Sequence, residues 1–150
     1  MATPSTSPVF HTVGYGGRTV PQFVEALRRA GIGTLVDVRL LPLSRRKGFS
    51  KTALSAALAD AGIAYVHLRG LGNPKENRRA AASVAECLAM YRSFMAPRWD
   101  EALAPLLKVV GDAPAGVALM CMEADPAECH RTVVAEEAAR RLPGAIVRAL

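Results

Sequence analysis

Aromatic residues make up only 5% of this chain, and no apolar run approaches the ~18 residues that a membrane span requires. The first shortage means that the core is built mainly from Ala, Val and Leu. The second argues against an integral membrane protein, and no membrane partner is expected. Residues 1–8 have neither a basic start nor an apolar stretch, so they read as a disordered tail rather than a signal peptide. Cysteine is scarce too: there are three, an odd number. Without an export signal that points to a reducing, cytoplasmic setting and free thiols rather than a disulfide framework.

What is present suits one globular domain. The 150 residues are 51% hydrophobic and 21% charged, with neither an internal repeat nor a linker, so residues 9–150 are expected to fold as a single unit. The net charge of +6 favours an anionic partner: a small molecule, a nucleotide or a nucleic acid.

Hydrophobic periodicity alternates strands with helices. Residues 9–15 form a first strand, closed by the glycine-rich turn Gly14-Tyr15-Gly16-Gly17-Arg18. Thr19 then caps a helix with Phe23, Val24, Leu27 and Ala30 on one face. Further strands are expected at 34–39, 63–68, 117–121 and 145–150, and helices at 50–61, 83–95, 99–110 and 126–141. Asp125 looks like the N-cap of the last helix, with Pro126 at its first position and Glu128 closing a capping box. Residues 69–79 read as a polar, basic loop. Alternating strands and helices call for a three-layer (αβα) Rossmann-like open sheet of about five mostly parallel strands, in the expected order 3-2-1-4-5.

In such a sheet, ligands bind outside the carboxyl ends of the strands. The unusual polar residues fall at those ends: Tyr15 to Arg18, Asp37 and Arg39, His67 and Arg69, then Cys121 and Glu123. An Asp-x-Arg pair finishing an apolar run is costly unless paired or near water. Cys121 lies close to the start of the last helix, whose positive end, with Arg131, favours the thiolate. Cys121, Glu123 and Asp37 are therefore the catalytic candidates: a nucleophile or proton donor, an acid/base, and a carboxylate orienting Arg39. Gly16, Arg18, Arg39, Arg45, Lys75, Arg78, Cys129, His130 and Arg131 are the ligand-binding candidates. His130 suits a general base or an imidazole capping core backbone. Tyr91, Phe94 and Trp99 read as core or helix-junction packing.

The chain resembles the domain-of-unknown-function 488 family from about Thr12 onward. The resemblance rests on Thr12-Val13-Gly14-Tyr15-Gly16-Gly17-Arg18-Thr19, on Leu35-Val36-Asp37-Val38-Arg39 with Pro42 and Ser44-Arg45, and on Gly48-Phe49-Ser50-Lys51. It continues through residues 62–68, Leu71-Gly72-Asn73-Pro74-Lys75 and Asn77-Arg78 to the run 121–131. Arg69-Gly70 departs from the Pro-Glu often found there. The resemblance supports the site and implies no reaction.

Taken together, a cytoplasmic protein is expected to bind a phosphate-bearing or nucleotide-like ligand in this strand-end pocket. Any enzyme activity would be that of a Cys/Glu-dependent transferase or hydrolase on an anionic substrate, with no cofactor. One alternative is a nucleic-acid-binding module using the basic loops 45–47 and 75–79, although aromatic interleaving is lacking. Another is a Cys/His metal site. Against that, the spacing of Cys121, Cys129 and His130 matches no common zinc pattern, and adjacent helical residues point about 100° apart. No metal ligand is assigned.

Overall fold

The structure, a computed structural model, describes residues 9–113, 115–122, 125 and 129–150; the expected tail at 1–8 lies outside the described residues. In chain order it has β1 (Val9–Gly14), α1 (Val20–Arg29), β2 (Ile32–Asp37), α2 (Lys51–Asp60), β3 (Ala64–His67) and α3 (Lys75–Ala80). Then follow α4 (Val84–Met95), α5 (Trp99–Asp112), β4 (Gly116–Cys121), α6 (His130–Arg140) and β5 (Ile146–Ala149).

Local chemistry sets several boundaries. Thr19 and Gln22 exchange side chain-to-backbone bonds in a capping box at the start of α1, and the Ser83 hydroxyl accepts from Glu86 N at the start of α4. Each cap is worth about 1 kcal/mol. Ser50 occupies the N-cap position of α2, yet its hydroxyl accepts from Ser44 N at 3.0 Å and braces the preceding loop instead. The stretch expected to be a basic loop contains a 3-10 turn (Arg69–Leu71) and α3.

All five strands run parallel, in the order β3-β2-β4-β1-β5. The α/β class is as expected, but the expected order 3-2-1-4-5 is not: β4, not β1, is the central strand. Burial explains the choice. Residues 117–121 are all buried, whereas β1 leaves His11 partly exposed and β5 lies largely open at the edge. The strand that is apolar on both faces takes the position covered on both faces.

Strand alternation divides the core in two. Ala118 and Met120 face α1 and α2 with Phe23, Leu27, Leu54 and Leu58. Val117, Leu119 and Cys121 face the other side, with Tyr91, Trp99, Leu103, Val133 and Val134. Tyr91 packs edge-on against Trp99 with ring centroids 6.0 Å apart, and its buried hydroxyl donates to Leu71 O at 2.6 Å. Among the described residues, no helix is long and apolar enough to cross a membrane.

Helix α6 begins at His130, later than its proline suggests. Cys129 is the N-cap, with extended backbone (φ −121°, ψ 138°), and Asp125 lies in a bend before it. The expected capping residue Glu128 lies outside the described residues.

Candidate functional site

Parallel register brings three strand ends together. Gly14 pairs with Cys121 across β1 and β4, and Asp37 pairs with Met120 across β2 and β4. The ladder continues past the strands: Tyr15 N donates to Cys121 O at 3.3 Å, Gly16 N to Met122 O at 2.8 Å, and Val38 N to Met120 O at 3.2 Å. Tyr15, Cys121 and the Val38–Arg39 segment therefore leave the sheet side by side. Placing β4 between β1 and β2 puts Cys121 at the middle of this edge.

Asp37 is fully buried and its carboxylate is saturated. Oδ1 accepts from the Arg39 backbone N at 3.0 Å and from Arg39 Nε at 2.9 Å. Oδ2 accepts from Arg39 Nη2 at 2.7 Å and from the Tyr65 hydroxyl at 2.5 Å. Arg39 Nη1 donates to Phe49 O at 2.8 Å and to Tyr15 Oη at 3.3 Å. The guanidinium edge expected to grip a phosphate is therefore committed to Asp37, which holds it in place. Burial, reinforced by the bond to Asp37, raises the Tyr65 phenol well above its ordinary pKa.

Cys121 and Cys129 lie behind this pair. Their sulfurs are in direct contact, with the Cα atoms 7.0 Å apart. Cys87 stands apart from them as a free thiol. The contact arises because extended Cys129 turns its side chain back toward the end of β4. Arg131, fully buried, donates through Nη1 to Cys121 Sγ at 3.4 Å.

His130 Nε2 lies 2.8 Å from Val38 O. A carbonyl can only accept, so Nε2 carries the proton and Nδ1 is left as a bare nitrogen, 4.0 Å from Cys129 Sγ. Burial pushes the imidazole pKa down to about 4, only partly opposed by the Val38 bond, so the ring is neutral at neutral pH. The Sγ atoms of Cys121 and Cys129 and a ring nitrogen of His130 lie within 4.8 Å of one another. The angular objection to a shared site does not apply, since Cys129 precedes the helix and only His130 belongs to it.

A cavity of about 350 Å³ opens over this edge. Cys121, His130, Arg39 and Tyr15 line it from the sheet side; Asn73, Arg78 and Cys87 contribute from the segment 73–87. Leu40, Leu41, Leu43, Val84, Leu88 and Met122 give it an apolar wall. Asn73 is held in place, donating to Cys87 Sγ at 3.4 Å and accepting from Asn77 Nδ2 at 3.0 Å.

Of the residues singled out from sequence, Cys121, Arg39, Arg78 and His130 line this cavity, while Asp37, Cys129 and Arg131 sit buried next to its lining. Gly16 adjoins it through the bond to Met122. Arg18 lines a different groove, beside Arg46 and Lys47, and its backbone carbonyl accepts from Arg46 Nη2 at 2.7 Å. Arg45 and Lys75 are exposed and do not line the cavity. Glu123 lies outside the described residues. Sequence reasoning placed Tyr15 at the strand ends without giving it a role, and it missed Tyr65, Asn73 and Cys87. Asn73 stands in a Gly-Asn-Pro turn that reads as mere punctuation, and Cys87 has core spacing on α4.

Comparison with known proteins adds one relation. A family model described as a domain of unknown function, DUF488, matches residues 19–138. No curated protein and no solved structure matches the chain.

Proposed function

The chain belongs to the DUF488 family, whose description carries no activity, and on that footing we propose that it binds a phosphate-bearing small molecule, nucleotide-like in having a flat or apolar body. The ligand would occupy the cavity over the ends of β1, β4 and β2. One observation carries the reading: Arg78, Arg39, Asn73, Cys121 and His130 share a single cavity of about 350 Å³ with an apolar wall. That size lies within the ordinary range of small-molecule sites, which combine apolar lining with a few placed polar groups.

The roles follow from the contacts. Arg78 is exposed at the rim and is the cation available to an incoming phosphate. Arg39, fixed by Asp37, supplies positive charge from below without offering its whole fork. Leu41, Leu43 and Met122, all exposed large apolar side chains, cover the body of the ligand. Cys121 brings chemistry beyond binding, because a reduced thiol next to Arg131 is biased toward thiolate.

Calorimetric titration of the reduced protein with a nucleoside monophosphate, and separately with inorganic phosphate, tests the proposal. Saturable binding of the nucleotide is expected, weakened at least tenfold in Arg78→Ala, whose exposed side chain contributes little to folding. Absence of binding at millimolar nucleotide, or equal affinity in the variant, overturns it. Oligonucleotide binding with a steep salt slope would favour instead a surface built on the basic loops.

A further inference from the structure

The floor of the cavity contains a donor set that anion binding does not use. We propose that, when reduced, Cys121, Cys129 and His130 form a three-ligand site for a borderline-soft divalent cation of the Zn²⁺ type, with its remaining coordination position toward the cavity.

Four observations carry this. The three donor atoms already lie within 4.8 Å of one another, although they come from a strand end, an N-cap and the first residue of a helix. The chemistry of the set is right: two thiolates and an imidazole are the ligands that favour zinc over harder cations. The imidazole is oriented as a ligand, since its Nε2–H is spent on Val38 O and its bare Nδ1 is on the cysteine side. Metal-bound histidines ordinarily donate their other N–H to a carbonyl or carboxylate in this way. Finally, Arg131 donates to Cys121 Sγ, a bond that also stabilises a metal-bound thiolate.

Backbone spacing agrees. The Cα atoms of Cys121 and Cys129 are 7.0 Å apart, beyond the roughly 4.4–6.8 Å usual for disulfides. Two thiolates on one tetrahedral zinc, each with a bond of about 2.3 Å, hold their sulfurs about 3.8 Å apart, which suits this wider spacing. Cys121 and His130 both line the cavity, so the site is not closed by protein on that side. Three protein ligands with an open position is the pattern of catalytic rather than structural zinc.

Disulfide and metal site are alternative states of the same two sulfurs. Opening the disulfide takes two electrons from a phosphine, which becomes the phosphine oxide, and two protons from the water that supplies the oxide's oxygen, and it yields two thiols. Binding Zn²⁺ then releases those two protons as both sulfurs become ligands.

The test uses the full chain, reduced with a phosphine under nitrogen, stripped by a chelator, and titrated with Co²⁺ or Zn²⁺ with no phosphate present. Expected are one metal per chain, a sulfur-to-cobalt charge-transfer band in the near ultraviolet and intense visible bands of tetrahedral Co²⁺. About two protons should be released per metal at pH 7. Cys121→Ser, Cys129→Ser and His130→Asn should each weaken binding at least tenfold; circular dichroism of each variant separates loss of a ligand from loss of fold. Bound Zn²⁺ should also slow reoxidation of the wild-type pair to the disulfide. No retained metal, a cobalt spectrum without the thiolate band, or reoxidation unchanged by Zn²⁺ would overturn the proposal. Because no anion is present, these results stand apart from success or failure of nucleotide binding.

Discussion

His130 Nε2 lies 2.8 Å from the carbonyl oxygen of Val38, tying the first residue of α6 to the chain just beyond β2. A single imidazole thereby links two elements that are 92 residues apart in sequence. Its neutrality has a consequence for stability. The folded-state pKa is about 4, below the unfolded value of about 6.5. Between those values the unfolded chain binds more protons, so stability rises with pH. His130 should cost the fold up to about 3 kcal/mol as pH falls through this window. Urea unfolding at a series of pH values should show this fall in wild type. His130→Gln should show a shallower slope, and identical slopes would contradict the assignment.

The Asp37–Arg39 pair makes a second prediction. Asp37→Asn leaves a buried guanidinium without its counter-charge, a change that costs about 3–5 kcal/mol. Denaturant midpoints should fall accordingly. A loss under about 1 kcal/mol would mean that the carboxylate does not hold Arg39 in place.

Tyr65→Phe removes one donor from Asp37 Oδ2 and retains the ring. A loss of about 1–2 kcal/mol is expected, smaller than for Asp37→Asn because the ion pair survives. Combining the two substitutions should give a non-additive total, since both act on one carboxylate. Strict additivity in a double-mutant cycle would contradict the shared network.

Gly72 is required by close approach rather than by backbone conformation. A Cβ there would lie 2.4 Å from Leu40 Cα and 2.6 Å from Leu40 N. Gly72→Ala must displace the segment that carries Leu40, Leu41 and Leu43 in the cavity wall. It should cost about 1–3 kcal/mol and weaken nucleotide binding as well. Unchanged ligand affinity in a folded Gly72→Ala protein would separate this wall from the site.

Much of this arrangement is legible from residue order alone. The run 117–121 is apolar without alternation, which marks a strand buried on both faces. Asp37 and Arg39 end another such run, where an unpaired charge is too costly to tolerate. Strand order is not legible in the same way. It depends on which strand the long helical connections carry to the centre, and here the most completely apolar one was taken there, displacing β1. The start of α6 misleads because Asp125-Pro126 offers a better local cap than Cys129 does. That shift of a few residues converts Cys129 from a helical neighbour of His130 into its partner. Cys87 has the spacing of a core residue, and only the packing of α4 beside Asn73 turns it toward the cavity. Arg18 follows a glycine-rich turn that invites an anion, yet it lines a groove beside Arg46 and Lys47.

The central claim, that Cys121 lies at the floor of a phosphate-binding cavity, is tested most directly by alkylation of the reduced protein, followed by peptide mapping. Nucleoside monophosphate should slow modification of Cys121 at least several-fold in wild type, and the protection should disappear in Arg78→Ala. Modification of Cys121 at the same rate with and without nucleotide, or protection that persists in the variant, would contradict the account.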